Sequence, residues 1–350
     1  MKKYNFAVVG ASGLVGRTFL KVMEEYDLPV GELKLFASEK SVGKTMTFKG
    51  KEYPLEVLKK GCFLETDYAL FSAGGAVSKE WGPVAEKEGA LVVDNSSTWR
   101  MDDSCALVVP EINIDDIKSK RRLVANPNCS TIQSVLALKP LEDAFKITRI
   151  NYSTYQAVSG SGKKGLNDWE GAEKGQPTGF YPYDISKTCI PEIDVFFDDG
   201  FSKEEKKMIE ETRKILHRPD LRISATCIRV PVPVAHGVMM EVEFEKPVTV
   251  EEARKVLVAY PGIKVLDDPK NHIYPVSTVA VGNDYVYVGR IRKDTSVDNG
   301  LLIYCVADNV RKGAASNAVQ IVKKLIEENE ELIAYNEKNE KAADEEEKDA

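Results

Sequence analysis

The chain is short of cysteine, of histidine and of clustered positive charge, and each shortage closes a class of function. Six cysteines (62, 105, 129, 189, 227 and 305) are scattered through 350 residues. That is too sparse for a disulfide framework, and no pair has the Cys-x-x-Cys spacing of a metal site, so no metal is expected. Lys and Arg number 48 against 55 Asp and Glu, a net charge of -7 without a basic block. Nucleic acid is therefore not expected as a partner, because phosphate contacts need clustered cations. No stretch approaches the roughly 20 apolar residues of a membrane helix. The first apolar run stops at Gly10 with no small-residue cleavage site after it, so no secretory signal is read. The expectation is a soluble cytoplasmic protein with reduced thiols and no membrane partner. The negative charge is uneven. Between Glu337 and Asp349 seven acids stand against three bases, with no apolar residue larger than Ala. An acidic, disordered tail over 336–350 is expected there.

What remains is an ordinary globular mixture, and at roughly 100–200 residues per domain its length suggests two domains. Tyr4 to Val9 reads as a buried parallel strand. Gly10-Ala11-Ser12-Gly13-Leu14-Val15-Gly16 follows, and helical spacing runs from Leu14 to Tyr26. Strand, glycine turn and helix form the context in which such a motif points to a dinucleotide. Gly10 makes the turn, Gly13 lets backbone N–H groups approach a pyrophosphate, and Gly16 lets helix and strand pack closely. A second strand, Glu32 to Phe36, leads to Ala37 and Ser38 where a NAD enzyme would carry an acid for the ribose. Lys40, Ser41 and Lys44 suit a 2′-phosphate, so NADP is favoured, with Glu39 an awkward neighbour and a solvated loop the alternative.

Further apolar runs end in small or polar residues: Tyr68 to Phe71 before Ser72, Ala90 to Val93 before Asp94-Asn95-Ser96-Ser97, and Leu123 to Ala125 before Asn126. Ligands in doubly wound sheets sit beyond such strand ends. Helical spacing starts at Ser130 and stops near Pro140. From about Ile147 alternating runs (Arg222 to Val234, Val238 to Phe244, Tyr285 to Ile291, Leu301 to Ala307) predict an antiparallel sheet with one covered face. Ser202 to Leu216 predicts a helix capped by Ser202. Ala314 to Tyr335 predicts a long amphipathic helix that returns to the first domain.

Cys129 is the sharpest chemical candidate. A thiol near a helix N-terminus meets the positive end of the macrodipole, which would favour the thiolate. The other five cysteines read as small buried hydrophobes. Of the three histidines, 217, 236 and 272, His236 follows a β run that ends among Pro and Gly, where a base for the thiol could sit. Arg229 could grip a carboxylate in bidentate fashion, and Arg100 a second anion; ordinary salt bridges are the alternative. Ser159-Gly160-Ser161-Gly162 suits close ligand approach, although linkers share the composition.

In combination these motifs resemble the aspartate-semialdehyde dehydrogenases up to about Tyr335. The carriers are Gly-Ala-Ser-Gly-Leu-Val-Gly (10–16), Phe-Ser-Ala-Gly-Gly (71–75), Val-Asp-Asn-Ser-Ser-Thr-Trp-Arg-Met (93–101) and Asn-Pro-Asn-Cys-Ser-Thr (126–131). Tyr-Gln-Ala-Val-Ser-Gly-Ser-Gly (155–162), Glu-Glu-Lys-Lys-Met (204–208) and Ala-Thr-Cys-Ile-Arg-Val-Pro-Val (225–232), with His236, complete them.

The resemblance implies an α/β fold: a Rossmann-type NADP-binding domain (1–131 with 312–335) and an α+β catalytic and dimerisation domain (132–311) with a mainly antiparallel sheet. It implies NADPH-dependent conversion of L-4-aspartyl phosphate to L-aspartate 4-semialdehyde, on the route to lysine, threonine, methionine and diaminopimelate. Cys129 would be the nucleophile forming an acyl-thioester, His236 the acid/base, and Gln156 the residue orienting the acyl group. Arg229 with Glu204 would hold the substrate's carboxylate and amine, and Arg100 with Lys207 its phosphate. Cofactor contacts would come from Gly10, Ser12, Gly13, Leu14, Val15, Ser38, Lys40, Ser41, Ser72, Asn95, Ser159, Gly160, Pro191 and Asn309. The assembly would be a homodimer or homotetramer. A malonyl-CoA reductase or N-acetylglutamyl-phosphate reductase is the near alternative, and a non-catalytic NADP-binding sensor the distant one.

Overall fold

The computed structural model describes residues 2–329, so the acidic segment lies outside the described residues. The chain builds two sheets. Strand β1 (Tyr4–Val9) is apolar and almost wholly buried, and its parallel neighbours are β2 (Val30–Phe36) and β5 (Tyr68–Phe71). An antiparallel hairpin, β3 (Thr45–Phe48) with β4 (Lys51–Glu56), closes one edge, a pairing the sequence reading missed. On the other side lie β6 (Leu91–Asp94), β7 (Ala106–Leu107) and β8 (Leu123–Ala125), giving the order β3-β4-β2-β1-β5-β6-β8-β7. Apart from the hairpin all pairs are parallel, as continuous apolar strands covered on both faces require.

The second sheet has the order β10-β9-β11-β14-β13-β12. It contains β9 (Ile147–Gln156), β10 (Arg222–Arg229), β11 (His236–Phe244), β12 (Ile263–Val265), β13 (Val286–Lys293) and β14 (Gly300–Ala307). Its middle is antiparallel and its two edge strands run parallel to their neighbours.

Three expectations need correction. The β run from Arg222 ends at Arg229, not Val234, because Pro231 and Pro233 have no N–H for a ladder. His236 therefore opens β11 instead of lying in a loop. The helix after Cys129 does not stop at Pro140 but continues to Phe145. A mid-helix proline costs about 3 kcal/mol. The flanking Leu136, Leu138, Leu141 and Phe145, all in the core under the second sheet, outweigh that cost.

That helix, Cys129–Phe145, is buried nearly all round because it leaves the end of β8 in one sheet and packs across the inner face of the other. The topology thus sets Cys129 at the junction of the two sheets. The C-terminal segment begins with a π-helical turn, Arg311–Ala315, and is α-helical over 316–329. Ala315, Ala318, Val319, Val322 and Ile326 join the core of the first sheet. The remainder of the expected helix, 330–335, lies outside the described residues. Among the described residues no helix is long and apolar enough to cross a membrane.

Candidate active site

Two crevices lie along the carboxyl ends of the first sheet. One, about 340 Å³, is lined by Gly10, Ser12, Gly13, Ser38 and Ser72. Gly10 sits at φ 84°, and a Cβ there would overlap the Ser72 carbonyl. A Cβ on Gly16 would overlap the Gly10 carbonyl, so both glycines are required by close approach. Gly13 stands at the N-cap of the helix Leu14–Glu25 with no side chain to cap it, leaving the first N–H groups for a ligand. Lys40 and Ser41 occupy the short turn Glu39–Ser41 directly after this crevice, and Glu39 and Lys40 are exposed.

The second crevice, about 250 Å³, continues toward the thiol and is lined by Val15, Asn95, Arg100, Cys129, Ser159, Gly160, Glu204, Lys207 and Asn309. Ser159 and Asn309 hydrogen-bond each other, and Asn309 also accepts the Ala235 N–H at 2.9 Å. Of the expected cofactor contacts, Leu14, Lys40, Ser41 and Pro191 line neither crevice, and Pro191 stands on another segment of the chain. It is exposed and follows Ile190, which pairs with Arg229.

Cys129 is the first residue of its helix, whose N-cap is Asn128. The Asn128 side-chain oxygen accepts from the N–H groups of Ser130 (2.9 Å) and Thr131 (3.2 Å). Glu204 accepts from the Asn128 amide at 2.8 Å and the Gln156 amide at 2.9 Å. Glu204 lies on the helix Lys203–Ile215, which starts with a capping box between Ser202 and Glu205. Glu205 also accepts the Cys227 N–H, tying the helix start to β10. Lys207, one turn on, pairs with Glu204 at 3.1 Å and Asp194 at 2.9 Å.

Arg229 ends β10 and is 4% exposed. Its Nη1 donates to the Ala157 carbonyl at 2.7 Å, while its Nε is buried without a partner. A buried, unsatisfied guanidinium edge costs stability unless a ligand meets it. His236, fully buried, accepts the Ala157 N–H on Nδ1 at 2.9 Å. The neutral ring therefore carries its proton on Nε2, which is also buried and without a partner. A Cβ added at Gly160 would stand 2.8 Å from Arg229 Nη1 and 3.2 Å from His236 Nε2, which brings all three residues to one wall. Gly160→Ala is expected to displace Arg229 or His236 and lower kcat/KM by about tenfold or more, since small displacements at a reacting centre are costly.

The electrostatics correct one expectation. Burial, then Glu204, push the Cys129 thiol up to about 11, against the pull of Arg229, Arg100 and Lys207. The helix N-terminus does not by itself yield a thiolate, because protein surrounds the sulfur on most sides. Burial and then Arg229 push His236 down to about 3, so the ring is neutral. Burial acts to raise Glu204, but Lys207, Gln156 and Asn128 outweigh it and hold the carboxylate down to about 2.

The motifs singled out the thiol, the histidine, the cations and Glu204, but not Glu211 or Asp194, the other acids that partner the cations. Glu211, seven residues after Glu204 on the same helix face, was legible from helical spacing. Gly313, whose added Cβ would come 2.9 Å from Cys129 Cβ, carries no local signal at all. Neither does the π-helical turn that places it.

Comparison with known proteins shows the family. Residues 5–120 match the family model "Semialdehyde dehydrogenase, NAD binding domain", and residues 138–312 match "Semialdehyde dehydrogenase, dimerisation domain". The chain is 53% identical over 336 residues to an aspartate-semialdehyde dehydrogenase of Aquifex aeolicus, covering 93% of this chain and 98% of that one. The crystal structure of aspartate semialdehyde dehydrogenase II from Vibrio cholerae is 43% identical with a TM-score of 0.90, covering 93% and 99%. A second structure of that enzyme is complexed with ASA. The Candida albicans enzyme, crystallised with NADP, is 25% identical with a TM-score of 0.76, covering 94% and 99%.

Proposed function

The chain belongs to the aspartate-semialdehyde dehydrogenase family, and from that premise we propose how its residues divide the work. The reaction is the nicotinamide-dependent interconversion of L-4-aspartyl phosphate and L-aspartate 4-semialdehyde. The observation that carries the reading is the single wall of Arg229, Gly160 and His236 beside the Cys129 turn.

In the biosynthetic direction the Cys129 sulfur attacks the acyl carbon, and phosphate leaves with the electrons of the C–O bond and takes up the S–H proton. The product is a thioester on Cys129. A nicotinamide held at the Gly10 turn would supply the hydride chemistry for that carbon. The part of Cys129 is then to leave as thiolate and take up a proton as the aldehyde forms. Covalent capture splits one hard step into two and keeps the acyl carbon in place between them.

Arg229 is suited to the substrate carboxylate because its unpaired edge offers planar, bidentate donation. Glu204 takes the amine, and Arg100 with Lys207 the phosphate. Gln156, held by Thr154 and Glu204, steadies the acyl group. His236 aims an N–H donor at the carbonyl oxygen. With its proton on Nε2, the ring is in the tautomer that stabilises an oxyanion, not the one that accepts the thiol's proton.

The cofactor is read as NADP. The Gly10 cradle and the uncapped N-terminus at Gly13 fit a pyrophosphate, and Ser38, Lys40 and Ser41 offer hydroxyls and an ammonium to a 2′-phosphate. Lys40→Ala is expected to raise KM for NADPH by about tenfold, the worth of one charge-assisted contact, and to leave KM for NADH unchanged. Equal changes for both cofactors would contradict the assignment.

The proposed division is 1–131 with 312–335 for the cofactor and 132–311 for catalysis and assembly, with a homodimer or homotetramer in a cytoplasmic setting. The outer face of the second sheet supports assembly, since Tyr155, Met239, Tyr304 and Val306 line an open cavity of about 620 Å³ there. The deciding assay follows oxidation of aspartate semialdehyde with NADP+ with and without phosphate, and reduction of malonyl-CoA in parallel. Phosphate-independent turnover, or a preference for malonyl-CoA, would sink the reading.

A further inference from the structure

Glu211 has no role in the reaction as assigned above, yet it is only 1% exposed, more deeply buried than Glu204. One carboxylate oxygen accepts from Arg100 Nη1 at 3.0 Å, and the other accepts the backbone N–H of Asn128 at 2.6 Å. Arg100 is held on two further sides. Its Nε donates to the Asn126 carbonyl at 2.9 Å and its Nη2 to the Asn95 carbonyl at 3.0 Å. That leaves one N–H on each terminal nitrogen for a ligand in the crevice that Arg100 lines. Asn128 is equally constrained. Glu204 takes its side-chain amide, Glu211 its backbone N–H, and its own oxygen caps the helix that begins with Cys129.

We propose that Glu211 is a positioning residue for the phosphate half of the reaction: it locks Arg100 and the cysteine turn in one register, so that the anion site and the sulfur face the same acyl carbon. The proposal rests on the reading of Arg100 as a phosphate ligand. Two bound acceptor oxygens are needed because both groups they meet are donors. A glutamine of the same shape has one acceptor and one NH2 group, so either Arg100 or the Asn128 N–H would face a donor. An aspartate keeps the charge but is one methylene too short to bridge both.

Charge and geometry predict opposite signs, which makes the test sharp. If Glu211 were only a counter-ion that dulls Arg100, Glu211→Gln would strengthen the anion site and lower KM for phosphate. If it positions Arg100, the same substitution raises that KM.

Steady-state oxidation is measured with phosphate and aspartate semialdehyde varied separately at saturating NADP+. The variants are Glu211→Gln, Glu211→Asp, Arg100→Lys and the double variant Arg100→Lys/Glu211→Gln. The expected result is a rise of about ten- to a hundredfold in phosphate KM for both Glu211 variants, the scale of a displacement near 1 Å. KM for the semialdehyde stays within about twofold, and Glu211→Gln adds little on top of Arg100→Lys, as residues acting through one contact are not additive. An unchanged or lowered phosphate KM in Glu211→Gln overturns the proposal. So does an equal loss in phosphate KM, semialdehyde KM, NADPH binding and Tm, which would mark general structural support. If Arg100→Lys alone leaves phosphate KM untouched, the reading of Arg100 falls and the proposal with it. A normal Arg100→Lys effect beside a silent Glu211→Gln sinks the proposal alone.

Discussion

Cys129→Ala is expected to lower phosphate-dependent turnover by at least about four orders of magnitude while leaving NADPH affinity unchanged, because deletion of a nucleophile removes the covalent route and not the fold. The substitution spares the Asn128 cap and the helix behind it. Near-wild-type turnover would place the nucleophile elsewhere. The same residue has a second, independent signature. With its thiol pushed up to about 11, the fraction of thiolate in the free enzyme grows about tenfold per pH unit across the neutral and mildly basic range. Alkylation of Cys129 by iodoacetamide should therefore keep accelerating from about pH 7 to about pH 9. A Cys189→Ser background is needed, since Cys189 is the exposed cysteine. A plateau near neutrality would mean that the helix terminus and the three cations had overcome burial after all.

The second large effect concerns His236. Removing one preorganised donor from an oxyanion site costs about 10²- to 10³-fold in kcat, and His236→Ala should lose that much. His236→Gln, which still offers an N–H, should recover part of it. A glutamine variant no better than alanine, with an acid limb near neutrality in the wild-type kcat profile, would restore proton transfer as the histidine's task. Stability carries an independent mark. The ring titrates at about 3 in the folded protein against a usual value of about 6.5. Its neutral form is fully compatible with the fold above about pH 6.5. Below that, the unfolded chain takes up a proton that the folded ring refuses, so stability falls as pH drops toward about 3, by up to roughly 1.4 kcal/mol per pH unit. Denaturant unfolding of the wild type and His236→Gln at about pH 7 and about pH 5 measures this. The wild type should lose more of its stability on acidification than the variant, and equal losses would contradict the buried neutral ring.

The positive charge of the site is less free than a list of cations suggests. Arg100 and Lys207 enter it already paired, with Glu211 and with Glu204 and Asp194. Arg229 has no carboxylate partner in any described ion pair, and its Nε is left over. An anionic substrate therefore meets one guanidinium without an acid partner, Arg229, and two cations, the Arg100 guanidinium and the Lys207 ammonium, whose geometry is set in advance by acids. Preorganisation of this kind reduces the rotamer entropy lost on binding at the expense of some Coulombic attraction.

Local order alone was enough for several features. Strand, glycine turn and helix could be read over Tyr4–Glu25 because burial of a parallel strand, a tight turn and an amphipathic face each leave a pattern a few residues long. The Ser202 cap and the Cys129 turn were legible for the same reason. Pro140 misled because the price of a proline is local, whereas the core that offsets it is assembled from both ends of the second domain. Only the tertiary structure decided that the Cys129 helix leaves one sheet to cover the other, that Gly313 packs against it, and that Ala157 presents its N–H to His236 and its carbonyl to Arg229. Desolvation and hydrogen-bond partnership depend on residues more than seventy positions apart in the chain. The sequence by itself therefore marked out the candidate thiol, histidine and cations. Their protonation states, the histidine's tautomer and the pairing of each cation waited on the fold, because an electric environment is a property of neighbours in space.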